Sequence, residues 1–159
     1  MTQIVVIGVD PGESTGLAEL VDGKLIHIFQ GESAAAMDVL DSLLRLHSGR
    51  VDRKVAIACE RFVSGNQVRS HQPEAQQTVG AVLRAAHRHG AEVDLQAPSD
   101  AHAIGQNFLL QRLDLWPLPS QVGQNDADDV RMAVRHALLY LARHHASVFE
   151  GLVKAARVD

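Results

Sequence analysis

Cysteine is almost missing: Cys59 is the single one in 159 residues, which excludes any disulfide within the chain and fits a reducing, intracellular setting. Long hydrophobic runs are missing too, none approaching the roughly 20 residues that cross a bilayer, so no membrane span is expected. The first apolar run is cut short by Asp10 and has no basic leader before it. No secretory signal is therefore expected, and the chain is read as cytoplasmic. Aromatic residues make up only 4%, and the one tryptophan, Trp116, stands beside Pro117 and Pro119. It is read as an anchor for that segment rather than as a base-stacking platform. Positive charge is not in surplus, since the net charge is −4. No internal repeat, low-complexity stretch or linker divides the chain, so residues 1–159 are read as one domain.

What is present describes an ordinary globular protein, 46% apolar and 21% charged. The charge is unevenly spread. Between Arg61 and Gly90 the bases Arg61, Arg69, Arg84 and Arg88 face one acid, Glu74, with His71, His87 and His89 nearby. That is a local basic region on a mildly acidic chain, and two divalent ions held by carboxylates would cancel the rest.

Residues 4–9, Ile-Val-Val-Ile-Gly-Val, form a β-branched apolar run that reads as a central strand covered on both faces, ending in Asp10. Ser14 to Val21 and Lys24 to Gln30 read as two more strands around the hairpin signal Asp22-Gly23. Ser33 to His47 reads as a helix with Met37, Leu40, Leu43 and Leu44 on its apolar face. Lys54 to Cys59 is a second buried strand that ends in an acid, Glu60. A polar loop over 61–72 leads to a helix from Pro73 to about His89, closed by Gly90, then a short strand from Glu92 to Gln96. Pro98-Ser99 opens another helical stretch, residues 113–124 run irregularly, and 149–156 suggest a terminal helix. The expected fold is α/β: a five-stranded mixed sheet, strands 1–3 antiparallel and strands 4 and 5 parallel to strand 1, flanked by helices.

The remaining stretch, from Asn125 to about His145, is an apolar helix. At about 100° per residue, Val130, Ala133, Val134, Ala137 and Leu141 share one side, and Asp128, Arg131 and Arg135 take the other, expected to be solvated. Asp126 and Asp129 lie within or beside the apolar sector. Capping explains Asp126 well and Asp129 poorly. If strand 4 lies beside strand 1, Asp10 and Glu60 leave the sheet at one edge, and this helix can bring Asp126 and Asp129 to meet them. Clustered carboxylates need positive charge. An all-oxygen set points to Mg²⁺ or Mn²⁺, and two such ions suit in-line attack of water on a phosphodiester.

Gly8-Val9-Asp10-Pro11-Gly12 with Thr15-Gly16-Leu17-Ala18, then Ala58-Cys59-Glu60, then Asp126-Ala127-Asp128-Asp129-Val130 resembles the RuvC-type Holliday-junction resolvases of the RNase H-like superfamily. Thr78 to Leu83, Ala85-Ala86, Gly90, Val93 and Ala97-Pro98-Ser99 extend the resemblance over residues 4–142. It implies a homodimeric, Mg²⁺-dependent endonuclease, with Mn²⁺ able to substitute and two ions per site, that cuts opposed strands of a four-way DNA junction. Asp10, Glu60, Asp126 and Asp129 match the acidic tetrad. The helix at 73–89 corresponds to one used in dimerisation, and Phe62 is the nearest match to an aromatic wedge, one position off. After Pro98-Ser99 the family has lysines where this chain reads Asp100-Ala101-His102-Ala103-Ile104-Gly105. Grip on branched DNA is thereby assigned to Arg61, Arg69, Arg84, Arg88 and Arg112. Phage-type relatives acting on flaps and forks fit this departure. Structured RNA as substrate and a catalytically inactive junction-binding scaffold remain alternatives, the four acids speaking against the scaffold.

Two other motifs are decoys. Gly12-Glu13-Ser14-Thr15-Gly16 spells a serine-hydrolase elbow, but that elbow needs a helix directly after it, and a strand is expected here. No lysine follows Gly16 as a P-loop requires, and actin-like ATPases need two such domains. His87, His89, His144 and His145 sit at helix ends among bases and are read as surface residues.

Overall fold

The computed structural model describes residues 2–61, 73–104 and 106–157. The strands are β1 (Gln3–Asp10), β2 (Ser14–Val21), β3 (Lys24–Glu32), β4 (Arg53–Glu60) and β5 (Glu92–Gln96), of which β1 and β4 carry the buried apolar runs. They join in the order β3-β2-β1-β4-β5. β1–β2 and β2–β3 are antiparallel, while β1–β4 and β4–β5 are parallel, as expected from the sequence. Asp22 and Gly23 both take positive φ, 49° and 82°, the geometry a two-residue hairpin of this hand requires.

Alternation along the strands divides the core in two. Ile7, Val9, Leu17, Ile57 and Cys59 face one way, against α1 (Ser33–His47) and α2 (Pro73–His89). Val6, Ala18, Leu20, Ala56 and Ala58 face the other way, against α6 (Asp128–His144). Between these helices come the short α3 (Pro98–Ile104), α4 (Asn107–Arg112) and α5 (Pro119–Val122), and α7 (Ala146–Ala155) closes the order. The terminal helix thus starts three residues before its expected position.

α6 lies directly on the sheet, and two glycines make that approach possible. A Cβ at Gly8 would stand 1.8 Å from the Ala133 carbonyl oxygen, and one at Gly16 would stand 2.2 Å from the Asp129 backbone. On the side of α6 expected to be solvated, Asp128 is exposed as expected, but the two arginines are covered. Arg135 is only 8% exposed and donates to Asn107 Oδ1 at 2.6 Å. The Arg131 guanidinium lies 4.0 Å over the Trp116 ring and donates to the Pro117 carbonyl at 3.1 Å. The reason is tertiary: the segment holding α4 and Trp116 folds across the outer flank of α6. Trp116 is indeed the anchor of its segment.

On the α1 side, Glu19 and His47 are both buried and hydrogen-bonded to each other. His47 Nδ1 faces the Arg53 guanidinium, which only donates, so Nδ1 accepts and Nε2–H donates to Glu19. Arg53 Nε then donates to Gln3 Oε1 at 3.1 Å.

Candidate active site

Val9 pairs with Cys59, so the next residue of each strand, Asp10 and Glu60, leaves the sheet beside the other. Both follow the even-numbered set that faces α6. The third side chain comes from α6 itself. His136 is fully buried, with Nε2 3.3 Å from Glu60 Oε2. One ligand-type atom from each of Asp10, Glu60 and His136 lies within 4.8 Å of the other two.

His136 is held from behind. Its Nδ1 lies 2.9 Å from Gln96 Oε1, and Gln96 Nε2 donates to Asp94 Oδ2 at 2.9 Å. Gln96 is in place because β5 runs parallel to β4 with Glu60 paired to Gln96. Asp94 sits two residues back on the same face.

The two aspartates at the start of α6 are held differently. Asp129 is half-buried, accepts a hydrogen bond from the Ser14 hydroxyl, and adds its charge to the field at Asp10. It stands beside the Asp10–Glu60–His136 group without belonging to it. Asp126 is exposed, on the segment leading into α6. Its Oδ1 accepts from Gln30 Nε2 at 3.1 Å and from the Asp128 backbone N–H at 3.3 Å. Gln30, buried on β3, also accepts the Val130 N–H through Oε1 at 3.2 Å. A side chain from the sheet therefore supplies the helix cap that no residue of α6 provides.

Burial pushes the Asp10 carboxyl up to about 8, with the Glu60 and Asp129 charges adding and the Arg135 guanidinium pulling it back. Burial also raises Asp129, helped by Asp126 and Asp128, and opposed by the Ser14 hydrogen bond. Carboxylates gathered at one sheet edge, with their charges raising Asp10, favour a cation among them. Two carboxylates and an imidazole are a donor set that fits a divalent ion. Cys59, next to Glu60 in sequence, points to the opposite face, where burial holds its thiol protonated.

No family model matches the sequence, and no curated protein matches it. Solved structures do. The structure of T. thermophilus RuvC in complex with a Holliday junction substrate superposes with a TM-score of 0.63 at 20% identity, over 91% of this chain and 96% of that one. A second Thermus thermophilus RuvC structure gives 0.53 at 20% identity, over 87% and 96%. The fold is that of RuvC. At this identity the likeness shows the fold alone, and the chemistry has to be argued from the residues.

The expected DNA contacts are scattered. Arg61 is exposed directly after Glu60, its N–H bonded to the Gln96 carbonyl at 2.8 Å. Arg84 and Arg88 lie on α2, where Arg88 donates to Asp41 of α1 at 3.2 Å. Arg112 donates to the Ala156 carbonyl at 3.2 Å. Phe62 and Arg69 lie outside the described residues. Ser14 opens β2 rather than a helix, so the elbow motif has no hydrolase geometry. Sequence reasoning passed over His136, Gln96 and Gln30. One signal was available: His136 stands seven residues, two helical turns, after Asp129 and so shares its face.

Proposed function

We propose that this chain is a metal-dependent endonuclease that cuts branched DNA, four-way junctions foremost. The observation that supports the reading is the meeting of Asp10 and Glu60, remote in sequence, at one sheet edge of a RuvC fold, with Asp10 raised by burial and by the Glu60 and Asp129 charges. Mg²⁺ or Mn²⁺ bound there, as two ions, would act as a Lewis acid on the phosphate and on the attacking water. Asp10 and Glu60 would hold and orient the metal, with Asp129 and Asp126 at the side facing the start of α6. In the reaction a water oxygen bonds to phosphorus as the opposite phosphorus–oxygen bond to the sugar breaks. The water gives up a proton and the departing oxygen gains one. Arg61, exposed beside Glu60, is positioned to meet a neighbouring phosphate.

A homodimer through α2 completes the proposal, because two sites related by a two-fold axis cut opposed strands symmetrically. α2 buries Ala75, Thr78, Val82 and Ala86 and leaves Leu83 42% exposed on its outer face. The test is a cleavage panel with Mg²⁺ or Mn²⁺ on four-way junctions, flaps, forks, single strands and RNA duplexes. Paired symmetrical nicks on junctions are expected, and cutting of RNA alone would sink the DNA reading. Asp10→Asn should lose cleavage and keep junction binding.

A further inference from the structure

We propose that His136 ligates the metal directly through Nε2, and that this imidazole donor tilts the site toward Mn²⁺ over Mg²⁺. The inference rests on the metal-dependent reading above and adds a ligand that the acidic tetrad does not contain.

A chain of hydrogen bonds runs from Asp94 through Gln96 to His136. A carboxylate only accepts, so Gln96 must turn its NH₂ toward Asp94 Oδ2 and its carbonyl oxygen toward His136. That carbonyl oxygen also only accepts, so Nδ1 of His136 carries a proton. In the neutral ring the lone pair is then on Nε2, aimed at Glu60 Oε2 from 3.3 Å. Two acceptor atoms facing each other in a buried place need a cation between them, either a proton or a metal ion. Asp10 brings a third acceptor to the same point, within 4.8 Å. A proton satisfies one pair of atoms. A metal ion satisfies all three.

The surroundings favour the metal. His136 is fully buried, with Nδ1 bonded to Gln96 and Nε2 facing Glu60, so its ring is held in one orientation. A histidine whose far N–H is anchored on an amide or carboxylate relay is the usual way a protein aims an imidazole at a metal. The relay continues past Gln96 to Asp94, whose carboxylate lies 3.7 Å from His144 Nε2. Donor chemistry then decides selectivity. Mg²⁺ demands oxygen and keeps its waters, whereas Mn²⁺ accepts an imidazole readily.

The test loads the full-length protein with one equivalent of Mn²⁺ and reads directly bonded ¹⁴N by pulsed electron paramagnetic resonance, a measurement that needs no variant. Wild type should show one coupled imidazole nitrogen, and His136→Gln should lose it. Calorimetry should show His136→Gln binding Mn²⁺ about tenfold to hundredfold more weakly, with Mg²⁺ binding changed less. Gln96→Leu should keep the nitrogen coupling but weaken Mn²⁺ by about tenfold. Mn²⁺ bound to wild type without nitrogen coupling, or unchanged Mn²⁺ affinity in His136→Gln, overturns the inference and leaves the nuclease reading standing. Wild type that binds neither metal and cleaves nothing overturns both.

Discussion

The molecule contains two glutamate–histidine pairs, one on each side of the sheet, the first buried at both ends and the second at its histidine, and they end in opposite electrostatics. In Glu19–His47 the far ring nitrogen faces Arg53, so a permanent positive charge closes the chain of hydrogen bonds. In Glu60–His136 the corresponding place is taken by Gln96, a neutral amide that leads on to another acid, Asp94. Asp10 and Asp129 then add negative charge at the open end. The first pair is complete and serves as an internal strut between α1, β2 and β4. The second has a neutral amide in that place, and its ligand atoms converge at the sheet edge. The same two residue types make a strut or a site according to the charge of the third partner.

The sharpest way to break this comparison is to neutralise each glutamate in turn. Glu60→Gln should reduce junction cleavage at least about a thousandfold, since it removes several kcal/mol of metal-borne transition-state stabilisation. Glu19→Gln, assayed below its unfolding midpoint, should cut within about tenfold of wild type by the same logic of rates. Equal losses would mean that both pairs are structural.

Urea denaturation should show the reverse order. Breaking a buried ion-paired network costs about 3–5 kcal/mol, which is the loss expected for Glu19→Gln. Glu60→Gln should cost nothing in metal-free protein, or stabilise it, because it relieves like charge beside Asp10. A large loss there would make the two pairs equivalent.

pH sharpens the contrast further. The Asp10 carboxyl is raised in the folded state from its ordinary 3.8 to about 8. The folded protein therefore holds that proton more tightly than the unfolded chain. Its contribution to stability is whole below the ordinary value and is lost as pH climbs through about 8. Each pH unit in that window costs up to about 1.4 kcal/mol. Thermal melts of metal-free protein should fall over this range relative to Asp10→Asn, and saturating Mn²⁺ should cancel the difference. Parallel profiles for the two proteins would show that Asp10 titrates normally. The smallest effect expected is for Gln30→Leu, a loss of about 1 kcal/mol of helix-cap stability. It should come with weaker cleavage, because Asp126 and the start of α6 lose their tie to β3.

Much of this was legible residue by residue. Asp10 and Glu60 could be read as strand-end acids because each closes a buried apolar run, and parallel neighbours must release their last residues at the same edge. The polar side chains behind the site were not legible. His136 stands between Arg135 and Ala137 on a helix, and its spacing from Asp129 gives a shared face but not what that face meets. Its meaning depends on the β4–β5 register that sets Gln96 beside Glu60. Arg131 and Arg135 mislead for a related reason: helical spacing says which residues share a face, never what a distant segment will lay over it.

By itself the sequence determined the strands, their relative directions, the hairpin and the two strand-end carboxylates, because these follow from apolar periodicity, turn chemistry and the handedness of crossovers. Only the tertiary structure decided what surrounds the acids. α6 settling onto Gly8 and Gly16 carried His136 to Glu60, Gln30 capped that helix from the sheet, and an amide rather than an arginine took the place behind the histidine. Electrostatic environment belongs to packing between distant segments, and it is that environment which separates a buried strut from a candidate metal site.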